Sequence, residues 1–186
     1  MYDCSSAATA MLLNLAGRWL EVLAHGAEDH NSSIRPMRAH LAVLYAEYLS
    51  KVLAGEKTVE GRFSKVRCAP HGMVSAGDRV FLKEQSGPVM ALADVAQVLT
   101  FENLSRCQAE LLIAQYGARL CIGEDFVPRV ISARYITLMR LARVTLLPPM
   151  WLDKRDRRPW VVLSPQRSFF GRDQWQQALW SVLAGL

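Results

Sequence analysis

The feature that most constrains the fold is a strand that runs into another strand. "RVFLKE" (79–84) and "VMALADVAQVLTF" (89–101) are rich in β-formers, and only the turn "QSGP" separates them. Strands joined this tightly pair as neighbours in an antiparallel ladder. A doubly wound sheet needs a helix between successive strands, so that class is excluded, in keeping with the lack of any GxGxxG or GxxxxGK[ST] motif.

The remaining pattern builds around this pair. "HLAVLY" (40–45) predicts a short strand, and "AEYLSKVLAG" (46–55) a helix with Gly55 at its C-terminal stop. "KTVEGRFS" (57–64) predicts a further strand, followed by the loop "CAPHGMVSAGD" (68–78). "ENLSRCQAELLIAQYG" (102–117) reads as a helix stopped by Gly117, and "YITLMRLARVTLL" (135–147) as a long strand. "PPMWLDKRDRRP" is a loop, "WVVLS" (160–164) the final strand, and "RDQWQQALWSVLAGL" (172–186) an amphipathic helix through Trp175, Leu179 and Val182. About five short strands with helices at the crossovers predict an α+β chain, a small mixed β-barrel with peripheral helices.

Ahead of this body, 11–24 predicts an amphipathic helix through Leu12, Leu15, Trp19 and Val22, followed by a polar linker. Residues 1–36 are thus expected to be a helical extension, or even a stretch upstream of the natural start at Met37. The domain is expected over 37–165, with 166–186 a helix packed on it. Charge divides at the same point. Residues 1–36 hold two arginines against four acids, net −2, whereas the remainder holds twenty cations against thirteen acids, net +7. A basic body suits a polyanionic partner, nucleic acid above all.

Cys4, Cys68, Cys107 and Cys121 form no CxxC pair, and His25, His30, His40 and His71 form no HxxxH. Neither a zinc site nor a disulfide framework is expected, and reduced thiols in a cytoplasmic protein are the simplest reading. No run approaches the roughly 20 apolar residues that span a bilayer, and the only charge before the N-terminal apolar run is Asp3, the wrong sign for a secretion signal.

The densest chemistry lies in "GEKTVEGRFSKVR", Gly55 to Arg67. On a strand, Thr58, Glu60 and Arg62 share one face while Val59 and Phe63 take the other, and Gly61 on the apolar face permits a close neighbour. Lys57 stands at the bend, where its stem can swing to the polar face. An ammonium, a hydroxyl, a carboxylate and a guanidinium thus line one groove, and Lys65 and Arg67 extend its positive edge. Arg62 and Lys57 suit a phosphate or carbonyl oxygen, Glu60 suits a general base or an acceptor for an exocyclic amine, and Thr58 a hydroxyl ligand. The plainer alternative is a solvated face of paired charges. Lys83 at the end of "FLKE", and Arg157 and Arg158 in "DKRDRRPW", add cations beside the groove. Trp160 is expected in the core, and Trp151 remains open between core and base stacking.

The helix followed by "LAGEKTVEGRFSK", with "AGDRVFLKE", "SGPVMALADV", "FENL" and "RRPWVVL", resembles the ASCH domain, from about His40 to Ser164. The resemblance implies a PUA-like barrel. It also implies one of three activities found among such domains: RNA or DNA binding, deacetylation of acetylcytidine nucleosides, or RNA degradation. In the acetylcytidine hydrolases the segment reads Lys-Thr-x-Thr-x-Arg; Lys57 matches that lysine, but Glu60 replaces the second threonine. Those enzymes also use a later glutamate, for which Glu102 and Glu110 are candidates. The leading expectation is a module that binds RNA or a modified nucleoside through Lys57, Arg62, Lys65, Arg67, Lys83, Arg157 and Arg158. The alternatives are a metal-free, cofactor-free hydrolase using Lys57, Thr58 and Glu60, and an adaptor that meets a protein partner through its terminal helices.

Overall fold

The computed structural model of the chain describes residues 36–152, 154, 157–163 and 173–185. The helix expected at 11–24, and nearly all of the extension, lie outside the described residues.

Six strands form one curled sheet: β1 (Ala39–Leu44), β2 (Val59–Ser64), β3 (Arg79–Glu84), β4 (Val89–Glu102), β5 (Tyr135–Met150) and β6 (Trp160–Leu163). Their order is β2-β5-β4-β3-β1-β6. Only β1 and β3 pair in parallel, and the tight turn between β3 and β4 gives the antiparallel neighbours that the sequence required. The result is an α+β half-barrel of the class expected, and each of its six strands overlaps a segment read as a strand. Register shifts at Leu82/Lys83, Val89/Ala91, Leu92/Asp94 and Val95/Gln97 bend the long β4–β5 ribbon, as bulges do.

Helices α1 (Ala46–Leu53), α2 (Arg106–Leu120), α3 (Val127–Ile131) and α4 (Asp173–Ala184) flank the sheet, with a single 3₁₀ turn at Glu124–Phe126 before α3. The two faces of the sheet have different tasks. Val59, Leu99, Phe101, Ile136 and Leu138 point outward and pack with Leu112, Tyr116 and Leu120 of α2. On the inner face, Leu82, Ala91 and Met139 pack with Leu49 and Val52 of α1 and with Trp160. A third cluster joins Leu41, Phe81, Val161 and Leu163 to Leu179 of α4.

Two element ends depart from the sequence reading. Gly117 does not stop α2, which runs to Leu120 and ends on Cys121 in the left-handed conformation (φ 54°). Glycine within a helix costs about 1 kcal/mol against alanine, and burial of Leu120 one turn further on offsets it. Likewise β5 runs through Pro148 and Pro149 to Met150. Its pairing with β2 ends at Arg140, so among the described residues its distal half is paired only with β4 and has a free edge where prolines are tolerated. A third departure is chemical: Cys107 is disulfide-bonded, where reduced thiols were expected, while Cys68 and Cys121 are free.

Candidate functional site

The inner face of β2 and the start of β5 face a cleft of about 880 Å³. The register explains its composition. Glu60 pairs with Met139 and Arg62 with Thr137, and Thr137 pairs onward with Thr100, so alternate residues of three strands share this face. Met139 sinks into the core, and the polar residues beside it form the floor.

Lys57 and Glu60 are both nearly buried, at 5% exposed each. The Lys57 ammonium donates to the carbonyls of Val59 and Leu120, both at 2.8 Å, and lies 3.4 Å from Glu60 Oε2. Leu120 is the last residue of α2, so Lys57 sets a cation against that helix's C-terminal carbonyls, where the macrodipole favours it. On the other side Arg62 Nε lies 2.9 Å from Glu60 Oε1, an ion pair by distance although the N–H is misdirected for a hydrogen bond. The guanidinium donates from Nη2 to Val43 O (3.0 Å) and from Nη1 to Pro159 O (3.3 Å), and lies over the Trp160 ring. Arg62 therefore bridges edge strand β2 to β1 and to the residue before β6, closing the open side of the half-barrel. Gly61 makes the close approach its sequence implied: a Cβ there would stand 2.7 Å from Leu120 Cδ2 and from the Phe63 ring.

Lys57, Glu60 and Arg62 thus come together, as a paired cluster rather than as unpaired cations. The other sequence candidates divide. Lys83 lines the cleft and donates to the carbonyls of Glu84 and Gly87; burial pulls its ammonium below the ordinary lysine range, opposed in part by Glu84. Arg157 and Arg158 line the cleft and are exposed. Thr58, Lys65 and Arg67 are exposed and do not line it. Arg67 instead lies 3.9 Å from Glu102. Thr58 precedes β2, so the strand alternation that was expected to turn it inward has not begun.

Further residues complete the lining and its surroundings. Tyr48 faces the cleft from α1 with Lys57 Nζ 5.5 Å from its ring centre, and burial raises its phenol above the ordinary tyrosine range. Arg129 reaches the rim from α3, a helix the sequence reading missed. Tyr45 and Trp151 line the cleft while 55% and 61% exposed, which settles Trp151 outside the core; Trp160 is buried, as expected. His71 comes from the loop before β3. Its Nδ1 is 3.2 Å from Thr137 Oγ1 and its Nε2 is 2.9 Å from Glu102 Oε1. Glu102 is held below the ordinary glutamate range by that hydrogen bond from His71 and by the nearby Arg67 and Arg134. Glu102 was a candidate through the resemblance, but no sequence pattern joined it to His71 or Thr137.

The Gly-Asp step ahead of β3 has a structural role. Asp78 is fully buried and accepts from Arg38 N (2.9 Å), Ser75 N (2.9 Å) and His40 Nε2 (3.1 Å). His40 Nδ1 in turn accepts from Trp160 Nε1. Asp78 ties the start of β1 to the start of β3 and lies away from the cleft's lining. Among the described residues, no group of three or more histidines, cysteines or carboxylates is placed to hold a metal.

This geometry meets an independent finding: the model of the ASCH domain matches residues 43–140. The chain belongs to the ASCH family. Solved structures agree on the fold. The ASCH protein of Zymomonas mobilis is similar at 19% identity with a TM-score of 0.54, covering 77% of this chain and 94% of that one. Two substituted variants of the Zymomonas mobilis protein match with the same TM-score, at 19% and 18% identity, covering 97% and 95% of their chains. No curated protein sequence matches. The ASCH model runs from the end of β1 to the first part of β5, and so takes in Lys57, Glu60, Arg62, His71 and Thr137. The basic rim at Lys154, Arg157 and Arg158 falls beyond it.

Proposed function

We propose that this ASCH-domain protein binds single-stranded RNA, or a modified nucleoside, in the cleft. The observation that carries this reading is the pairing of a cationic rim with exposed aromatic rings on one concavity: Arg129, Lys154, Arg157 and Arg158 beside Tyr45 and Trp151. Cations draw in a phosphate backbone, and rings stack on unpaired bases. Lys57, Glu60 and Arg62 then serve as a rigid floor, fixed by their pairing with one another and with backbone carbonyls. Lys65 and Arg67 lie outside the lining and add long-range attraction only.

Hydrolysis by Lys57, Thr58 and Glu60 has less support. The ammonium is committed to two carbonyls and a carboxylate, and Thr58 is exposed and does not line the cleft. The test is fluorescence anisotropy of a labelled single-stranded RNA titrated across a range of salt. Affinity is expected to fall steeply with salt, and Arg157→Ala with Arg158→Ala to reduce the log–log slope by about 0.7 for each phosphate that is no longer neutralised. Salt-independent binding, or a slope unchanged in the double variant, overturns the reading.

A further inference from the structure

His71, Thr137 and Glu102 form a relay that ends at the cleft. His71 is 8% exposed and Thr137 1%, yet both line the cleft, and Glu102 holds the outer end from solvent. The proton positions follow from the partners. A carboxylate only accepts, so Nε2 carries the hydrogen shared with Glu102. In the neutral ring Nδ1 is then the acceptor, and it faces a hydroxyl that can donate. Hydroxyl, imidazole and carboxylate therefore stand in the order nucleophile, base and orienting acid, with the two ring nitrogens exchanged relative to the serine-protease arrangement. The elements hold it firmly. Thr137 is set by its register between Arg62 and Thr100, Glu102 ends β4, and the Tyr135 ring packs edge-on against His71 at 5.2 Å. A buried hydroxyl and imidazole carry a desolvation cost that an apolar pair would avoid.

We propose that this cluster is a threonine hydrolase centre acting on short carboxylic esters, with Thr137 as nucleophile, His71 as general base and Glu102 as its positioning residue. Thr137 Oγ1 bonds to the ester carbonyl carbon as its proton passes to His71 Nδ1. The C–O bond to the alcohol then breaks, and the leaving oxygen takes that proton. Water next attacks the acyl-threonine and gives a proton to Nδ1. The acid departs, and Thr137 Oγ1 recovers its hydrogen. Ester and water yield acid and alcohol, with no other reactant. Arg62, the register partner of Thr137, places positive charge on the same face for the developing oxyanion. The cationic rim suits an ester carried on a phosphate-bearing alcohol.

The centre does not depend on RNA binding, and its test uses neither RNA nor the rim. The full chain is mixed with 4-nitrophenyl acetate, and nitrophenolate release is followed beside mass spectrometry of the digested protein. A burst near one equivalent, with one acetyl group on the peptide holding Thr137, supports the centre. Turnover is expected to fall about 100-fold or more in His71→Gln and Thr137→Val, and to survive in Thr137→Ser. Glu102→Gln should lower kcat at least about tenfold with KM unchanged, which a merely structural carboxylate would not do. Acetylation only at surface lysines, or a folded Thr137→Val protein with undiminished turnover, overturns the proposal. Should Thr137→Val fail to fold by circular dichroism, the position of the acetyl group on the unsubstituted chain decides alone.

Discussion

At the scale of single residues, the most reactive-looking side chain has structural work. Lys57 caps α2 through Leu120 O and neutralises Glu60 from within the fold. Removing one partner of a buried pair leaves the other charge uncompensated, typically at about 3–5 kcal/mol. Arg62 remains beside Glu60, so Lys57→Ala should cost about 3 kcal/mol in urea unfolding, near the low end. Lys57→Ala with Glu60→Ala should cost less than the two single changes added together. Asp78 gives the second prediction. Burial alone would raise its carboxyl, but hydrogen bonds from Arg38, His40 and Ser75 outweigh that and hold it below the ordinary aspartate range. Its contribution is therefore fully present above the unfolded value near about 4 and is lost as pH falls through the lower folded value. Asp78→Asn should be less stable than the parent at neutral pH, and the gap in urea midpoint should narrow below about pH 4.

At the scale of elements, the sequence was readable where one pattern decided the structure. "RVFLKE" became β3 with the bounds expected, and Gly55, at φ 76°, sits where the stop of α1 was placed. Alternation along β2 put Glu60 and Arg62 on one face and Gly61 on the other, against α2. That packing is testable: Gly61→Ala should destabilise by about 1–3 kcal/mol, because its new methyl meets Leu120 and Phe63, and Leu120→Ala should recover part of the loss. Patterns failed where tertiary partners overrode local preference. Gly117 continued α2 because Leu120 had a core to enter, and Pro148 and Pro149 joined β5 because one edge there is open. The site was legible only in part for the same reason. Glu60 and Arg62 follow from spacing within one strand, whereas the meeting of His71, Thr137 and Glu102 depends on a loop and two strands whose register no local pattern encodes.

At the scale of the whole molecule, charge and concavity coincide. The cationic rim is assembled from α3 and from the segment between β5 and β6, distant in sequence and brought together by the curl of the sheet. Trp151→Ala should weaken binding of single-stranded RNA by about 1–3 kcal/mol of stacking without changing the salt slope, unlike the rim arginines. Anisotropy at two salt concentrations separates the two contributions.

Arg62 has a mechanical consequence. At the half-barrel's open side, the Arg62 guanidinium that joins β2 to Val43 and Pro159 is also part of the floor on which an occupant would rest. An occupant that recruits this guanidinium must draw it from the carbonyls of Val43 and Pro159. Pro159 O also accepts from the Val43 amide, and β1 pairs with β6 along its backbone, so β1 and β6 stay joined while edge strand β2 is released from both. Filling and fastening are then opposed, and the protein reports its own occupancy as looseness along the seam beside β2.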